Sequence, residues 1–504
     1  MPPVEVDGGI NTASLSLYRY MSENTATTTS DTNSASATTH SGSAQGSTME
    51  VDLLVIGFGK AAKTIAMNRA AAGDKVALVE QSRAMYGGTC INIACVPTKT
   101  LLTDAHRFAE TPETNADDAF LSAQERRDGL TAKMNRANYD LADGKGVVVV
   151  DGHAEFTGSH SVQVTGGDDL LTINAKTIVI NTGATPVIPP IDGADGSRVV
   201  DSTAVQSLPE RPSSLAIVGG GPIGLEFATM FAQFGVDVTV LDQSPDFLTV
   251  ADRDVAELVG QDLTDLGVTI VSGAAVSSIS SDDDTATVTY AVGDAGDEQN
   301  LSVDYVLLAT GRKPAIEGLN LDAAGIEVSD RGAIVVDEHL RTSVDGVYAA
   351  GDVNGGPQFT YISFDDHRVI LSDRWGDGSR TTEGRIFPTT TFLEPPLAQI
   401  GMGEDEARKD AESRGHTLDV KSKKVADIPV MPRPKIVGQP QGMAKFLVDR
   451  EDDRILGATL YCVDSQELIN TVAVAMNHGV SASALGGGIY THPSSSEVFN
   501  ALLG

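Results

Sequence analysis

The chain has 504 residues, of which 36 are Lys or Arg and 69 are Asp or Glu, so its net charge is −33. Such a charge repels nucleic acid, and three cysteines are too few for a disulfide-stapled secreted scaffold. The acidic, lysine-poor composition is typical of halophile proteins, and the length predicts about two to four domains.

The N-terminal segment, residues 1–48, is predicted to be a disordered Ser/Thr-rich tail. From Ser22 to Thr48 it consists mostly of small polar residues without an apolar period. The start of the chain lacks the basic and apolar regions of a secretory signal, and no run of about 18 apolar residues occurs. We therefore expect a cytoplasmic protein without a membrane span and without a membrane partner.

The first predicted element is a strand–turn–helix–strand unit that binds a dinucleotide. An apolar strand leads into Gly57-Phe-Gly59-Lys-Ala-Ala62, and a helix and a second strand follow, ending at Glu80. Gly57 permits the tight turn, Gly59 lets the backbone approach a pyrophosphate, and Ala62 lets the helix pack closely on the strand. The helix N-terminus holds the phosphates, and Glu80 is expected to accept hydrogen bonds from the ribose hydroxyls.

Two of the three cysteines, Cys90 and Cys95, stand five residues apart at the start of a predicted helix. On an ideal helix their Cα atoms would be roughly 8–9 Å apart, whereas a disulfide needs less than about 7 Å. A bridge therefore requires a distorted turn and would be easily reduced. The helix N-terminus also lowers a thiol pKa. A zinc site, which needs four ligands, and a pair of inert buried thiols are the alternatives.

A second strand–turn–helix–strand unit follows at residues 214–242. Its turn reads Gly219-Gly-Gly221-Pro-Ile-Gly224, its helix is predicted from about Leu225 to Phe234, and its second strand closes at Asp242. The first glycine and the terminal acid are 23 residues apart in both units. Two dinucleotide sites in one chain indicate an α/β enzyme in which one cofactor passes electrons to another, typically NAD(P)H to FAD.

The cysteine segment carries a resemblance to a known family. Gly87-Gly-Thr-Cys90-Ile-Asn-Ile-Ala-Cys95-Val-Pro-Thr-Lys99, after an FAD-type glycine turn, resembles the class I pyridine nucleotide–disulfide oxidoreductases. These include glutathione reductase, dihydrolipoamide dehydrogenase and mercuric reductase. Stretches at 84–93, 358–366 and 462–470 are most similar to the bacterial reactive-chlorine-resistance reductases, although Ala94 stands where those have glycine.

The resemblance, which covers about residues 50–504, implies a fold and an assembly. The fold is α/β, with two Rossmann-like dinucleotide-binding domains, for FAD and for NAD(P), and a C-terminal α+β dimerisation domain. The implied FAD-binding domain spans 49–198 and resumes at 325–385, the NAD(P)-binding domain spans 199–324, and the dimerisation domain spans 386–504. The expected partner is a second copy of the chain in a homodimer.

Further motifs of the family specify cofactor contacts. The segment Val347-Tyr-Ala-Ala-Gly351-Asp352 matches the second FAD motif, and turns at 181–184 and 309–312 match its Thr-Gly turns, although Asn181 stands where alanine is usual. Lys99 is expected to pair with Glu226 near the flavin. The cofactor-binding residues that the resemblance implies are Gly57, Gly59, Ala62, Glu80, Thr89, Lys99, His153, Ala154, Gly183, Asp352, Thr360, Gly219, Gly221, Gly224, Glu226, Asp242, Gly311 and Arg312.

The resemblance also assigns catalytic roles. It makes Cys90 and Cys95 a redox-active disulfide, with Cys95 against the flavin and Cys90 as the more exposed thiol that attacks the substrate. His492 is implied to reach this site from the other subunit and to protonate the leaving group, while Glu497 fixes its tautomer. Cys462 is interpreted as a small buried hydrophobe, and no metal is expected.

The sequence indicates a donor but leaves the substrate open. Asp242 suits the free ribose hydroxyl of NADH, and residues 243–248 contain no Arg or Lys for a 2′-phosphate, so NADH is favoured over NADPH. The predicted substrate is a small disulfide, an oxidised thiol or a reactive-chlorine-derived compound. The alternatives are a dihydrolipoamide dehydrogenase of a 2-oxoacid dehydrogenase complex, or a bis-γ-glutamylcystine, glutathione-type or mercuric reductase.

Overall fold

The computed structural model describes residues 46–111, 115–166, 170–293 and 296–504. Most of the predicted tail, residues 1–45, lies outside the described residues. Ser47 and Thr48 belong to the first strand, where they pair with Leu171 and Thr172. The tail prediction is therefore wrong at its C-terminal boundary. Pairing with a neighbouring strand provides hydrogen-bond partners for the backbone N–H and C=O groups of these polar residues.

In chain order, the strands of the described residues are β1 (Ser47–Ile56), β2 (Val76–Glu80), β3 (Val148–Asp151), β4 (His153–Gly158), β5 (Ser161–Thr165), β6 (Leu171–Ile180), β7 (Ala184–Pro186), β8 (Val199–Asp201), β9 (Ser214–Val218), β10 (Asp237–Asp242), β11 (Val268–Ser272), β12 (Ala274–Ser281), β13 (Ala286–Val292), β14 (Gln299–Val303), β15 (Tyr305–Leu308), β16 (Arg312–Pro314), β17 (Val347–Ala349), β18 (Pro388–Thr391), β19 (Leu397–Gly401), β20 (Leu418–Lys424), β21 (Met443–Asp449) and β22 (Arg454–Tyr461). The α-helices are α1 (Lys60–Ala71), α2 (Thr89–Asn92), α3 (Cys95–Glu110), α4 (Ala116–Asp143), α5 (Pro222–Gln233), α6 (Arg253–Asp265), α7 (Leu321–Ala324), α8 (Thr360–Trp375), α9 (Glu404–Ser413), α10 (Arg433–Ile436), α11 (Ser465–Asn477), α12 (Ala482–Gly486) and α13 (Glu497–Leu503).

The first sheet has seven strands in the order β3-β2-β1-β6-β5-β4, with β17 beside β6. The pairs β3–β2, β2–β1, β1–β6 and β6–β17 are parallel, and β4 and β5 join as an antiparallel ribbon. The strand β2 is buried along its whole length, as the apolar run of a parallel strand predicts. The chain thus returns to its first sheet at β17, inside the predicted return segment 325–385.

The second sheet has five parallel strands in the order β11-β10-β9-β15-β8, and an antiparallel sheet β12-β13-β14 is inserted in the chain between β11 and β15. This is the second predicted dinucleotide fold. Its helix α5 begins at Pro222, three residues before the predicted start, because proline needs no hydrogen-bonded N–H in the first turn of a helix. The two Rossmann-like units of the predicted α/β fold are confirmed.

The C-terminal part has a five-stranded antiparallel sheet in the order β18-β19-β22-β21-β20. Its core packs the sheet against α11 and α13, and Cys462 is fully buried there, as expected for a small hydrophobe. This α+β arrangement confirms the predicted class of the third part. Among the described residues, no helix combines the length and the apolar character that a bilayer crossing needs.

Candidate functional site

The first glycine turn lies between β1 and α1, where the sequence predicts a pyrophosphate. Gly57 has φ +94°, and a Cβ atom there would lie 2.6 Å from the carbonyl oxygen of Asn181, so only glycine fits. A Cβ atom at Gly59 would lie 2.2 Å from the side-chain oxygen of Asn181. Ala62 is fully buried behind them in the first turn of α1. The turn therefore presents bare backbone at a helix N-terminus, which suits a phosphate group.

Asn181, at the position where the sequence departs from the family pattern, ties two parts of this region together. Its side-chain oxygen accepts a hydrogen bond from the Ala62 backbone N–H at 3.2 Å, and its amide nitrogen donates to the carbonyl oxygen of Ala350. Ala350 precedes the second FAD motif. The sequence identified the departure at Asn181 but assigned no role to this residue.

Glu80 stands at the carboxyl end of β2, as predicted, and faces the first glycine turn. Its carboxylate accepts from the backbone N–H groups of Phe58 at 3.0 Å and Ser82 at 3.2 Å. Burial raises its pKa to about 7. Gly152 donates its N–H to the Glu80 carbonyl oxygen, which places the segment with His153 and buried Ala154 beside the same strand end.

The two cysteines are held on two helices instead of one. Cys90 lies in the short helix α2, Cys95 begins α3, and the backbone breaks between them at Ala94, with φ −130° and ψ −103°. The break is the distorted turn that a bridge requires. Both sulfurs are thiols in this structure. The preceding Gly88 packs on the first glycine turn, since a Cβ atom there would lie 3.0 Å from the Gly59 Cα atom.

The environment pushes the two thiol pKa values apart. A hydrogen bond between the thiols is the largest cause in both cases: it raises the pKa of Cys90 and lowers that of Cys95 to about 6. The hydroxyl of Thr360, 3.6 Å from the Cys95 sulfur, and the charge of Lys99 lower the Cys95 value further. The thiolate of the reduced pair therefore resides on Cys95.

In the chain by itself, Cys95 is exposed and Cys90 is half-buried. The Cys95 sulfur lies 3.6 Å from the Thr360 hydroxyl, whereas the short helix of Cys90 packs against α3 and α4. The face of Cys95 is the one on which the resemblance places the flavin.

Around Cys95 the structure gathers several of the predicted cofactor residues. Asp352 is half-buried, and burial raises its pKa while the charge of Arg312 acts in the opposite direction. Arg312 donates to the carbonyl oxygen of Ala184, next to Gly183. Thr89 lies against Gly183, because its hydroxyl oxygen would be 3.8 Å from a Cβ atom placed on Gly183. Gly311, with φ +108°, makes the turn before Arg312.

The segment that resembles a second FAD motif is held by a buried side chain that the sequence did not predict. Asp366 accepts from the Gly351 N–H at 2.7 Å through one carboxylate oxygen and from Arg385 at 2.8 Å through the other. Asp366 is 1% exposed, so this contact fixes the backbone directly before Asp352. An isolated Asp in a helix gives no sequence signal for such a contact.

The predicted pair Lys99–Glu226 is present, with 2.5 Å between the Lys99 Nζ and Glu226 Oε2 atoms. Glu226 lies on α5, directly after the second glycine turn. In that turn Gly219 has φ +112°, and a Cβ atom at Gly224 would lie 2.1 Å from the Gly219 carbonyl oxygen. Gly221 is the N-cap of α5. An ion pair therefore connects α5, the helix after the second dinucleotide turn, to α3, the helix that begins at Cys95.

Asp242 closes β10 beside this turn, as predicted. Its carboxylate oxygen would lie 2.6 Å from a Cβ atom on Gly220, and its other oxygen accepts from the Ser244 N–H at 3.2 Å. An acid over the glycine turn is placed to accept from the ribose hydroxyls of a dinucleotide.

His492 and Glu497 form the predicted pair, with the His492 Nδ1 atom 2.8 Å from the Glu497 Oε1 atom. The His492 hydrogen bond lowers the pKa of Glu497, so the carboxylate stays charged. The His492 side chain is 70% exposed. Within the described part of the chain, it makes no hydrogen bond with either redox cysteine.

The chain matches known proteins over most of its length. The family model of the pyridine nucleotide-disulphide oxidoreductases matches residues 51–366, and the model of their dimerisation domain matches residues 387–503. The Escherichia coli protein named probable pyridine nucleotide-disulfide oxidoreductase RclA is 44% identical over 452 residues, which are 89% of this chain and 98% of that protein.

Two other relatives are more distant. A mercuric reductase of Staphylococcus aureus is 32% identical over 86% of this chain and 79% of its own length. A dihydrolipoyl dehydrogenase of Staphylococcus aureus is 31% identical over 89% of this chain and 95% of its own length. Among solved structures, a Cu(II) complex of the HOCl-induced flavoprotein disulfide reductase RclA from Escherichia coli matches with a TM-score of 0.84 and 43% identity, over 90% of this chain and 99% of that one.

Proposed function

The chain belongs to the pyridine nucleotide-disulphide oxidoreductase family, and from that premise we propose that it uses NADH, FAD and the Cys90–Cys95 pair to reduce small oxidised sulfur compounds in redox defence. The cysteine pair carries the proposal. Two thiols whose pKa values are shifted in opposite directions meet at a helix break, next to the first glycine turn. Such a pair is suited to forming and opening a disulfide.

The residues present fit FAD and a nicotinamide dinucleotide. Gly57 and Gly59 cannot carry side chains without a clash, and Glu80 and Asp352 face the same region with shifted pKa values. Bound FAD would accept a hydride from NADH and pass two electrons to the disulfide. We propose that Gly57, Gly59, Glu80, Asp352 and their neighbours in this region hold FAD.

The chain's own residues would then carry out the exchange with the substrate. Cys90, after losing its proton to a base, attacks one sulfur of a disulfide RSSR, so that a Cys90–S bond forms and the S–S bond of the substrate breaks. The departing thiolate takes a proton from that base and leaves as RSH. The Cys95 thiolate then attacks the Cys90 sulfur, restores the Cys90–Cys95 disulfide and releases the second thiol, which takes up a proton from solvent.

We assign the base to His492 of the partner subunit. The family's dimerisation domain supports a homodimer, and the exposed His492 ring has its Nδ1 atom occupied by Glu497, which leaves Nε2 for proton transfer. In this proposal each active site takes its cysteines from one protomer and its base from the other.

Asp242 supports NADH as the donor. Its carboxylate lies over the glycine turn where the ribose of a dinucleotide binds, and a 2′-phosphate would meet this negative charge. The net charge of −33 adds to that repulsion. NADH is produced inside cells, so the proposed site of action is the cytoplasm, and the acidic surface supports work in concentrated salt.

The proposed substrate class draws on the Escherichia coli relative, which is 44% identical over 89% of this chain. The RclA structure is described as an HOCl-induced flavoprotein disulfide reductase, which supports oxidised thiols or hypothiocyanous acid as substrates. A second candidate acceptor is Cu(II), favoured by the Cu(II) complex of that relative. In that case two Cu(II) ions would each take one electron as the dithiol becomes a disulfide and releases two protons.

The deciding experiment compares acceptors on the FAD-loaded full chain. NADH oxidation is followed with hypothiocyanous acid, bis-γ-glutamylcystine, glutathione disulfide, lipoamide, Hg(II) and Cu(II), with Cys90→Ser as the control for activity that bypasses the dithiol. The proposal predicts Cys90-dependent turnover with hypothiocyanous acid or a small disulfide. Turnover with lipoamide alone would instead identify a dihydrolipoamide dehydrogenase.

A further inference from the structure

A buried lysine that the predicted mechanism does not use lies beside the turn that leads to Cys90. Lys63, near the start of α1, is 5% exposed. Its ammonium group lies 3.3 Å from the Gly87 carbonyl oxygen and 2.5 Å from the side-chain oxygen of Asn138 on α4. Gly87 stands three residues before Cys90, so the hydrogen bond from Lys63 fixes the turn that leads to this cysteine.

The charge of Lys63 is not neutralised by a carboxylate. Among the ion pairs of the described residues, none includes Lys63, and its two hydrogen-bond acceptors are a neutral carbonyl and a neutral amide. Burial lowers the pKa of Lys63 to about 8, so the side chain keeps its proton at pH 7. A buried cation without a counterion is costly, which makes a nearby anion favourable.

Cys90 is the group that can become this anion. The charge of Lys63 lowers the pKa of Cys90, and an ionised Cys90 raises that of Lys63. The other charged groups that act on either residue are Lys60, on the same helix, and Cys95. Cys95 opposes ionisation of Cys90, and Lys63 is the cation that acts in the opposite direction.

We propose that Lys63 is a positioning residue that supplies the buried positive charge under which Cys90 becomes a thiolate. The inference rests on the proposed role of Cys90 as the attacking thiol and deepens it. His492 of the partner subunit would take the proton, and Lys63 would stabilise the charge left on sulfur until the new S–S bond forms. When Cys90 is part of a disulfide, the ammonium group remains bound to the Gly87 carbonyl.

The test measures the ionisation of Cys90 directly. In the FAD-loaded full chain with Cys95→Ser, the rate of iodoacetamide alkylation at Cys90 is measured from pH 5 to pH 10 by peptide mass spectrometry. Lys63→Met should move the midpoint upward and slow alkylation at pH 7 about tenfold, the change in thiolate fraction for one unit. Lys133→Met removes an exposed lysine from α4 and should leave the profile unchanged, whereas Lys63→Arg should recover most of the rate.

A second variant tests the charge without removing the lysine. Asn138→Asp keeps an acceptor for Lys63 but neutralises it with a carboxylate, and it should shift the profile in the same direction. Profiles of Lys63→Met and Asn138→Asp that overlap with that of Lys133→Met would overturn the proposal. Alkylation needs no turnover, so a failure of the proposed function is distinguishable from a failure of this inference. In that case the pH profile of Cys90 alkylation would shift as predicted, but the enzyme would reduce none of the acceptors.

Discussion

The Nζ atom of Lys99 lies 2.5 Å from the Oε2 atom of Glu226, and this ion pair joins α3, which begins at Cys95, to α5, the helix after the second glycine turn. The other oxygen of Glu226 accepts a hydrogen bond from the N–H of Phe392 at 3.0 Å. Phe392 directly follows β18, the first strand of the C-terminal sheet. Cys95 begins the same helix one turn before Lys99. The pair therefore links the charge around Cys95 to two other parts of the chain.

Removal of Lys99 should raise the pKa of Cys95, which lies at about 6. The Cys95 thiolate is present above this pH and is lost as the pH falls through it. In Lys99→Met the stabilising charge disappears and the Glu226 carboxylate acts alone, so the thiolate should be lost at a pH about one unit higher. Alkylation of Cys95 in the chemically reduced holoenzyme, localised by fragment mass spectrometry, measures the profile.

Two controls separate this effect from a general change in charge. Lys133→Met removes an exposed lysine and should leave the profile in place. The double variant Lys99→Met/Glu226→Gln removes both charges and should return part of the shift. If Lys99→Met and Lys133→Met give the same curve, the ion pair does not control Cys95.

Cys90→Ser should separate the two halves of the reaction. Cys95, the glycine turns and the ion pair remain, so bound flavin should still be bleached by NADH under anaerobic conditions at a rate within about twofold of wild type. Reduction of the disulfide substrate should fall at least about a thousandfold, because the thiol that attacks the substrate is missing. Stopped-flow absorbance and steady-state assays measure the two halves, and unimpaired turnover would remove the dithiol from the mechanism.

Asp242 should determine the preference between the two nicotinamide donors. Asp242→Ser removes the acceptor for the ribose hydroxyls and the charge that repels a 2′-phosphate, so the ratio of kcat/KM for NADPH to that for NADH should rise about tenfold, which corresponds to about 1.4 kcal/mol. Asp246→Ser loses the same charge from an exposed position four residues later and serves as the control. Equal ratios in the two variants would exclude a specific role for Asp242.

Asn181 should contribute to stability although the family usually has alanine there. Asn181→Ala leaves the buried N–H of Ala62 and the carbonyl oxygen of Ala350 without this partner, which should lower the free energy of unfolding by about 1–3 kcal/mol. Urea unfolding at fixed protein and FAD concentrations measures the loss, with exposed Asn300→Ala as the control. A variant as stable as the control would mean that the surroundings adapt to alanine.

The sequence predicted the parts of the site that depend on short segments. The glycine turns, the acids Glu80 and Asp242, the cysteine pair and the His492–Glu497 pair all lie where a motif specifies them. The helix break at Ala94 was expected only as a distorted turn. The order of exposure of the two cysteines stays a prediction, because it refers to a chain with bound flavin on the side of Cys95.

The contacts that the sequence did not predict join distant segments. Asn181 reaches Ala62 across 119 residues and Ala350 across 169, and Lys63 reaches Asn138 across 75. A single buried Asn or Lys gives no periodic signal, and its partner is determined only when the chain packs. Such residues are visible in a sequence only as polar groups within an otherwise apolar helix or strand end.

An active site built from two protomers can be tested with a mixed dimer. Cys90→Ser chains and His492→Ala chains carrying different affinity tags are co-expressed, and the heterodimer is isolated and assayed for disulfide reduction. If the base comes from the partner subunit, one of the two sites combines an intact Cys90 with an intact His492, and the heterodimer should have about half of the wild-type activity while both variant homodimers are nearly inactive. A heterodimer as inactive as the two homodimers would show that each site takes both groups from one chain and would contradict the account.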